Sequence, residues 1–357
     1  MKLSTSHPAR HPKPTTKASE LAYLIFERPD IQKAEAFLMD FGLLVAKREE
    51  NASYLRGTGE AACCYVIRKA PTARFAGFGL TVDTEAELKA LAALPEATGS
   101  IEQSSYPGGG KVVRLTCPSG FEVHAVYGRT PAQPLPHRMA LQHNSVDTIT
   151  RVNETQRLMV SAPEIIKLGH VVLEVPDYQR TAAWYTQHFG FIPTDIQIFQ
   201  DGSPAVAFMR VDRGETPVDH HTLVLVQGVV TRYSHSAFEL IDTDAVAMGQ
   251  RVLRERQWHH AWGMGRHLLG SQVFDYWSDP WGCHHEHYCD GDLFTADIPT
   301  GIHPVSRQAM SQWGPELPRS FTKPKVTLAF LRDVIHSLRT SPDLTFSKLR
   351  TLMKLFG

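Results

Sequence analysis

What this chain can fold into is limited most by a pattern that recurs along it: strand, helix, then three strands. "ELAYLIFERPD" is strand-like and ends at Pro29-Asp30, and "IQKAEAFLMDFG" then sets Ile31, Ala34, Phe37 and Leu38 on one helical face before Gly42. Strand patterns follow from Ala46 to Leu55 and in "AACCYVIRKA". The order repeats as "FAGFGLTVD", a helix through "TEAELKALAAL" closed by Pro95, then "SIEQSSY", "KVVRLTC" and "GFEVHAVY". A Pro- and polar-rich stretch without sustained period intervenes, and the pattern restarts. "KLGHVVLEVPDYQRTAAWYTQHFG" lies on "ELAYLIFERPDIQKAEAFLMDFG", with Pro176-Asp177 on Pro29-Asp30 and Phe189-Gly190 on Phe41-Gly42 after one inserted residue. The last unit runs from "YSHSAFELIDTD" through a helix near Ala245 to Arg256 and ends in "VFDYWSDPWGCHHEHYCDGD", whose Pro280-Trp281-Gly282 lies on Pro118-Ser119-Gly120.

The expectation is an α+β fold of four βαβββ modules. One module has too few strands to bury both faces, but paired modules roll their strands into a half-open barrel around a cavity. The predicted boundaries are a mobile tail over 1–17, an N-terminal half over 18–130, a linker over 131–162, a C-terminal half over 163–293 and an extension over 294–357. The extension holds a basic amphipathic helix from Val326 to Leu338 and reads as a cap or an oligomer contact, with no chemistry assigned. A length of 357 residues suits two such halves.

Composition excludes several function classes. Lys+Arg 37 against Asp+Glu 37 gives no electrostatic footprint for nucleic acid, and no stretch nears the roughly 20 apolar residues of a membrane span. The N-terminus lacks the apolar core of a secretory signal, so a cytoplasmic protein is expected. The cysteines, Cys63, Cys64, Cys117, Cys283 and Cys289, are odd in number with no CxxC pair, against a disulfide framework or a thiolate zinc site. The outlier is histidine, 18 in all, crowded between His220 and His287.

In a half-open barrel, inward positions on different modules converge. The inward residue on the first strand of the third unit is His170, on the first strand of the fourth His235, and on the last strand of the fourth Glu286; alternation turns His285 and His287 the other way. Two imidazoles and one carboxylate on three strands form a facial triad with open positions, the ligand set of non-haem Fe(II) oxygenases. At the matching positions of the N-terminal half stand Tyr23, Ala76 and His124, so one half is active and the other degenerate.

These residues carry a resemblance. "LGHVVLEV", "DHHTLVL", "YSHSAFEL", "GRHLLGSQVFDYW" and "DPWGCHHEH" make the chain similar to the type I extradiol ring-cleaving dioxygenases of the vicinal oxygen chelate superfamily, specifically from Leu168 to Asp292 and in architecture from Glu20 to Leu293. The resemblance implies metal ligands His170, His235 and Glu286, an acid/base histidine at His221, a substrate-facing histidine at His267 and a hydrogen-bonding tyrosine at Tyr276. His220 adjoins His221, and a strand can turn either inward; His221 is preferred. After His267 the chain reads "LLG" where many relatives have polar residues, leaving the partner of His267 open. The resemblance further implies Fe(II), with Mn(II) as the alternative, O2 as co-substrate, and meta cleavage of a catechol-type diol or triol in aromatic catabolism. "GRHLLGSQVFDYWSDPW" is nearest to the trihydroxytoluene oxygenase branch, which points to a substituted single ring. A homo-oligomer is expected, with no nucleic acid or membrane partner. Trp184, Trp262, Phe274 and Trp277 offer aromatic surface near the motifs, although aromatics at such spacings are more often core than pocket wall, and His188, His284, His285 and His287 read as surface or supporting imidazoles. The alternatives are a glyoxalase-like metal-dependent isomerase or transferase, which would lack His221, His267 and Tyr276, and a non-catalytic protein that sequesters a ligand.

Overall fold

The computed structural model describes residues 3–322 and 326–356; residues 1–2, 323–325 and 357, within the expected tail and extension, lie outside the described residues. The first unit is β1 (Glu20–Arg28), α1 (Ile31–Asp40), β2 (Leu44–Glu49), β3 (Ala52–Arg56) and β4 (Tyr65–Lys69). The second is β5 (Arg74–Thr81), α2 (Glu85–Ala92), β6 (Glu102–Gln103), β7 (Lys111–Thr116) and β8 (Glu122–Tyr127). The third is β9 (Ile165–Val175), α3 (Tyr178–Phe189), β10 (Ile192–Ile198), β11 (Pro204–Arg210), a short β12 (Val218–Asp219) and β13 (Leu223–Gln227). The fourth is β14 (Arg232–Leu240), α4 (Thr243–Glu255), β15 (His259–Arg266), β16 (Val273–Ser278) and β17 (His284–Cys289). The expected four βαβββ modules are present. Helix starts follow their side chains: Asp30 accepts from Lys33 N, Thr84 and Glu87 form a capping box, and Asp242 accepts from Ala245 N.

The strands form two large sheets, ordered β2-β3-β4-β1-β5-β8-β7-β6 and β15-β16-β17-β14-β9-β13-β11-β10-β19, the last being β19 (Gly301–Pro304), while β12 pairs with β18 (Leu293–Phe294) in a two-stranded third. Alternation along the central strands divides labour. Leu24 and Phe26 of β1, and Val171, Leu173 and Val175 of β9, join the apolar faces of α1 to α4 in one core shared by both halves. Tyr23 and Ile25 of β1, and His170 and Val172 of β9, face away from that core.

The halves are also pinned by buried polar contacts. Thr58 N donates to Ile165 O at 2.7 Å and His287 Nε2 to Phe41 O at 2.6 Å, with the His287 ring stacked on Phe41. Tyr65 Oη lies 3.1 Å from His285 Nε2. His285 and His287, read as surface or supporting imidazoles, are fully buried here, because the face opposite Glu286 packs on the other half rather than on water. Arg28, 1% exposed, donates to Asp279 at 2.7 Å and packs over Phe26 and Trp281. Arg28→Ala would leave Asp279 buried without its cation, which costs about 3–5 kcal/mol. Urea unfolding of both proteins should show the midpoint of the variant lowered accordingly.

The segment before β1 does not trail into solvent. His7 Nδ1 meets Tyr178 Oη at 2.9 Å, and Thr15 N and Thr16 N donate to the carbonyls of Gln187 and His188 at the end of α3. Those terminal carbonyls have no partner within the helix, and the segment supplies donors for them. Residues 128–164 hold neither helix nor strand. The rest comprises the β18 and β19 already described, α5 (Arg319–Thr322), α6 (Leu328–Thr340) and α7 (Phe346–Phe356). All five cysteines are free, and among the described residues no helix is long and apolar enough to cross a membrane.

Candidate active site

Strand register brings the three expected ligands together. His170 on β9 and Glu286 on β17 both pair with Ala237 on β14, so they flank it in one row across three strands. His235 stands two residues before Ala237 and therefore shares its face. One donor atom from each of His170, His235 and Glu286 lies within 4.8 Å of the others. His170 Nε2 and His235 Nε2 are 3.2 and 3.5 Å from Glu286 Oε2. In the N-terminal half the corresponding row is Tyr23, Gly79 and His124, with Tyr23 Oη 2.8 Å from His124 Nδ1. The residue two before Gly79 is Gly77, so the counterpart of His235 is Gly77 and not Ala76; spacing alone missed the register by one.

The electrostatics of the trio ask for a cation. Glu286 is fully buried, and neither carboxylate oxygen has a hydrogen-bond partner. Burial pushes its carboxyl up, but the His170 and His267 imidazoles hold it well below its ordinary value, so it is ionised. Burial lowers His235 to about 3, against the pull of Glu286. An ionised, unbonded carboxylate facing two imidazole nitrogens would be costly as mere packing. A divalent ion that takes mixed nitrogen and oxygen donors fits this set.

Three further expected residues surround the trio. The His221 ring is 4.1 Å from that of His170, and burial, followed by the neighbouring His170 and His220, holds it well below its ordinary value. His221 Nδ1 meets His220 Nδ1 at 2.8 Å, so His221, not His220, lines the cavity. His267 Nε2 accepts from Tyr276 Oη at 2.9 Å and lies 3.4 Å from Glu286 Oε1. The open question of its partner has an answer outside the motif: His267 Nδ1 donates to the carbonyl of Met310 at 2.8 Å. Burial and the nearby Glu286 raise the Tyr276 phenol well above its ordinary value, which keeps its proton available.

Sequence reasoning missed two groups. The first is a polar chain behind His221: His220 Nε2 meets Asp195 Oδ2 at 2.8 Å, and His303 Nε2 meets Asp195 Oδ1 at 2.6 Å. Burial pushes the Asp195 carboxyl up, but these two imidazoles hold it below its ordinary value. The second is the wall that the extension adds to the site, for although a cap was one expectation for this segment, no contact with the site was. The extension covers the concave face of the second half, where Leu344 and Leu352 pack with Val172, Val206 and Val224. A cavity of about 510 Å³ results, running from His170, His235, His221, His267 and Tyr276 to Phe321, Phe330, Leu331 and Leu349. The 3.6-residue apolar period of α6 was the one available signal, since an amphipathic helix needs something to cover. Trp184, Trp262, Phe274 and Trp277 are absent from the cavity wall: all are buried, and Trp262 and Phe274 stack around His267 from behind.

Residues 167–286 match the model of the Glyoxalase/Bleomycin resistance protein/Dioxygenase superfamily. Metapyrocatechase 2 of Cupriavidus necator is 26% identical over 315 residues, which is 87% of this chain and 93% of that protein. Homoprotocatechuate 2,3-dioxygenase from Arthrobacter globiformis superimposes with a TM-score of 0.74 at 24% identity, over 91% of this chain and 97% of that one. A Mn(II)-bound glyoxalase from Novosphingobium aromaticivorans superimposes with a TM-score of 0.73 at 21% identity, over 88% and 97%. At these identities the two superpositions speak to the fold.

Proposed function

We propose that this chain, whose residues 167–286 are a domain of the Glyoxalase/Bleomycin resistance protein/Dioxygenase superfamily, is an extradiol dioxygenase that opens the ring of a catechol-type diol with O2, using Fe(II) held by His170, His235 and Glu286. The observation that carries this reading is the convergence of that donor trio with His221, His267 and Tyr276 at one end of an apolar cavity. The resemblance to Metapyrocatechase 2 supports it. Mn(II) accepts the same donors and is the alternative metal.

When bound, ferrous iron would bring two adjacent ring oxygens and dioxygen to a single centre. The chain's own residues do the rest. His221 presents its Nε2 to the cavity, where it can take a proton from a ring hydroxyl and return it as the ring opens. Tyr276 and His267 hold each other beside Glu286, from where the phenol can turn its proton toward negative charge developing on a substrate oxygen. The apolar walls keep water away from these transfers.

The cavity also selects. Ligand sites run from roughly 300 to 1,000 Å³, and 510 Å³ leaves room beyond a bare dihydroxybenzene. The space beyond the trio is bounded by Val206, Val224, Phe330 and Leu352, which suits a ring bearing an alkyl or aryl substituent. A polar thiol conjugate, as an isomerase of this fold would take, needs cationic partners. The arginine on the wall, Arg232, is already spanned by both Glu174 oxygens at 2.7 Å. The test is turnover of a catechol panel by iron-loaded protein. Substituted catechols should exceed catechol in kcat/KM, and Leu352→Trp should erase that preference by roughly 10-fold or more. A preference that Leu352→Trp leaves intact would place the substituent elsewhere.

A further inference from the structure

The chain of imidazoles and carboxylate behind His221 has a direction that its atoms impose. An ionised carboxylate only accepts hydrogen bonds. Asp195 Oδ2, 2.8 Å from His220 Nε2, therefore fixes the proton of His220 on Nε2. With a single N–H, held on Nε2, a neutral His220 presents a lone pair at Nδ1. The 2.8 Å contact between that atom and His221 Nδ1 then requires the His221 proton to sit on Nδ1. The nitrogen left unprotonated is His221 Nε2, which has no hydrogen-bond partner among the described residues.

We propose that Asp195, acting through His220, is a positioning residue that sets the tautomer and orientation of His221, with His303 of the C-terminal extension holding the second carboxylate oxygen. This deepens the dioxygenase reading, on which the use of the bare His221 Nε2 as a base rests. The arrangement is built tightly. His220 and His221 are buried, and the His220 backbone is tied at both ends, its carbonyl by Thr194 Oγ1 at 2.7 Å and its N–H by Asp292 O at 2.9 Å. Gly270, at φ +83, lies so close that a Cβ there would be 3.1 Å from His220 Nδ1. A Cβ at Gly301 would stand 2.0 Å from Asp195 Oδ1, so only glycine lets β19 bring His303 up to Asp195.

The internal repeat provides a control. Val171 pairs with Leu223 as Leu24 pairs with Tyr65, and Ile192 pairs with Arg210 as Leu44 pairs with Arg56, the latter two ladders shifting register at matching places, between Pro193 and Asp195 and between Val45 and Lys47. By that register the counterparts of His220, His221 and Asp195 are Ala62, Cys63 and Lys47. The polar chain thus occurs only in the half that holds the donor trio, whereas a feature needed for folding the module would recur in both.

The direct test reads the tautomer without any metal or substrate. Full-length protein is labelled with 15N at the histidine rings, and long-range proton–nitrogen correlations are recorded, with His221 assigned from the signals lost in His221→Gln. Wild-type protein should show His221 protonated at Nδ1 and bare at Nε2, and Asp195→Ala should convert it to the Nε2–H form or a mixture. Should Asp195→Ala not fold, His220→Phe keeps the ring volume, removes the acceptor and should give the same change. In turnover, Asp195→Ala should lower kcat roughly 10–100-fold with KM changed far less, and Asp195→Glu should restore part of the loss. An Nε2–H tautomer in wild type, or a tautomer indifferent to Asp195 and His220, overturns the proposal. Wild-type protein that shows the expected tautomer yet cleaves no catechol would sink the dioxygenase reading while supporting the link from Asp195 to His221.

Discussion

Glu286→Gln is expected to strip the protein of iron and abolish ring opening. The substitution keeps volume and shape but removes the one negative charge that faces His170 and His235. Loss of a residue that merely supports a ligand costs roughly 10–100-fold in metal affinity or activity, and loss of a ligand carrying the charge should exceed that. A second consequence separates a metal site from ordinary packing. Iron bound by the trio stabilises only the folded protein, so Fe(II) should raise the melting temperature of wild type and leave that of Glu286→Gln unchanged. Calorimetry with and without Fe(II), beside metal analysis, checks both halves of the expectation. If the variant keeps its iron, or if Fe(II) stabilises it as much as wild type, the trio is structural.

The second large effect belongs to His221. His221→Phe should retain iron, since the trio is untouched, yet lose about 10²–10⁴ in kcat, the usual share of a positioned general acid or base. Its ring is packed between His170, His220 and Phe208, so phenylalanine fills the same space. Steady-state oxygen uptake at saturating catechol gives kcat, and metal analysis of the same sample shows whether the centre survives. A variant that turns over within a fewfold of wild type would remove His221 from the proton transfers.

Much of this was legible in the sequence because strands write their geometry with a period of two. Once Pro29-Asp30 and Pro176-Asp177 are aligned, alternation alone puts His170 and Glu286 on the concave face and turns His285 and His287 to the opposite one, without showing that this opposite face packs on the other half. Alternation does not fix pairing register, which is why the counterpart of His235 was placed at Ala76 when the ladder sets it at Gly77. Contacts across long sequence separations were invisible for a related reason. Asp195 and His303 are 108 residues apart and belong to no motif; only the parallel pairing of β10 with β19 joins them. The partner of His267 is a main-chain carbonyl, that of Met310, and side-chain patterns carry no trace of such a bond. The extension hid its role because an apolar helical face announces that it covers something without saying what.

Whether His170, His235 and Glu286 hold a metal at which O2 opens catechols can be read by loading purified protein with Fe(II) without air, then following oxygen consumption and absorbance together as a substituted catechol is added. One O2 should be consumed per catechol with formation of a yellow ring-opened product, and both should be lost in Glu286→Gln. Iron-loaded protein that binds catechols yet consumes no oxygen across the panel would contradict this reading of the trio.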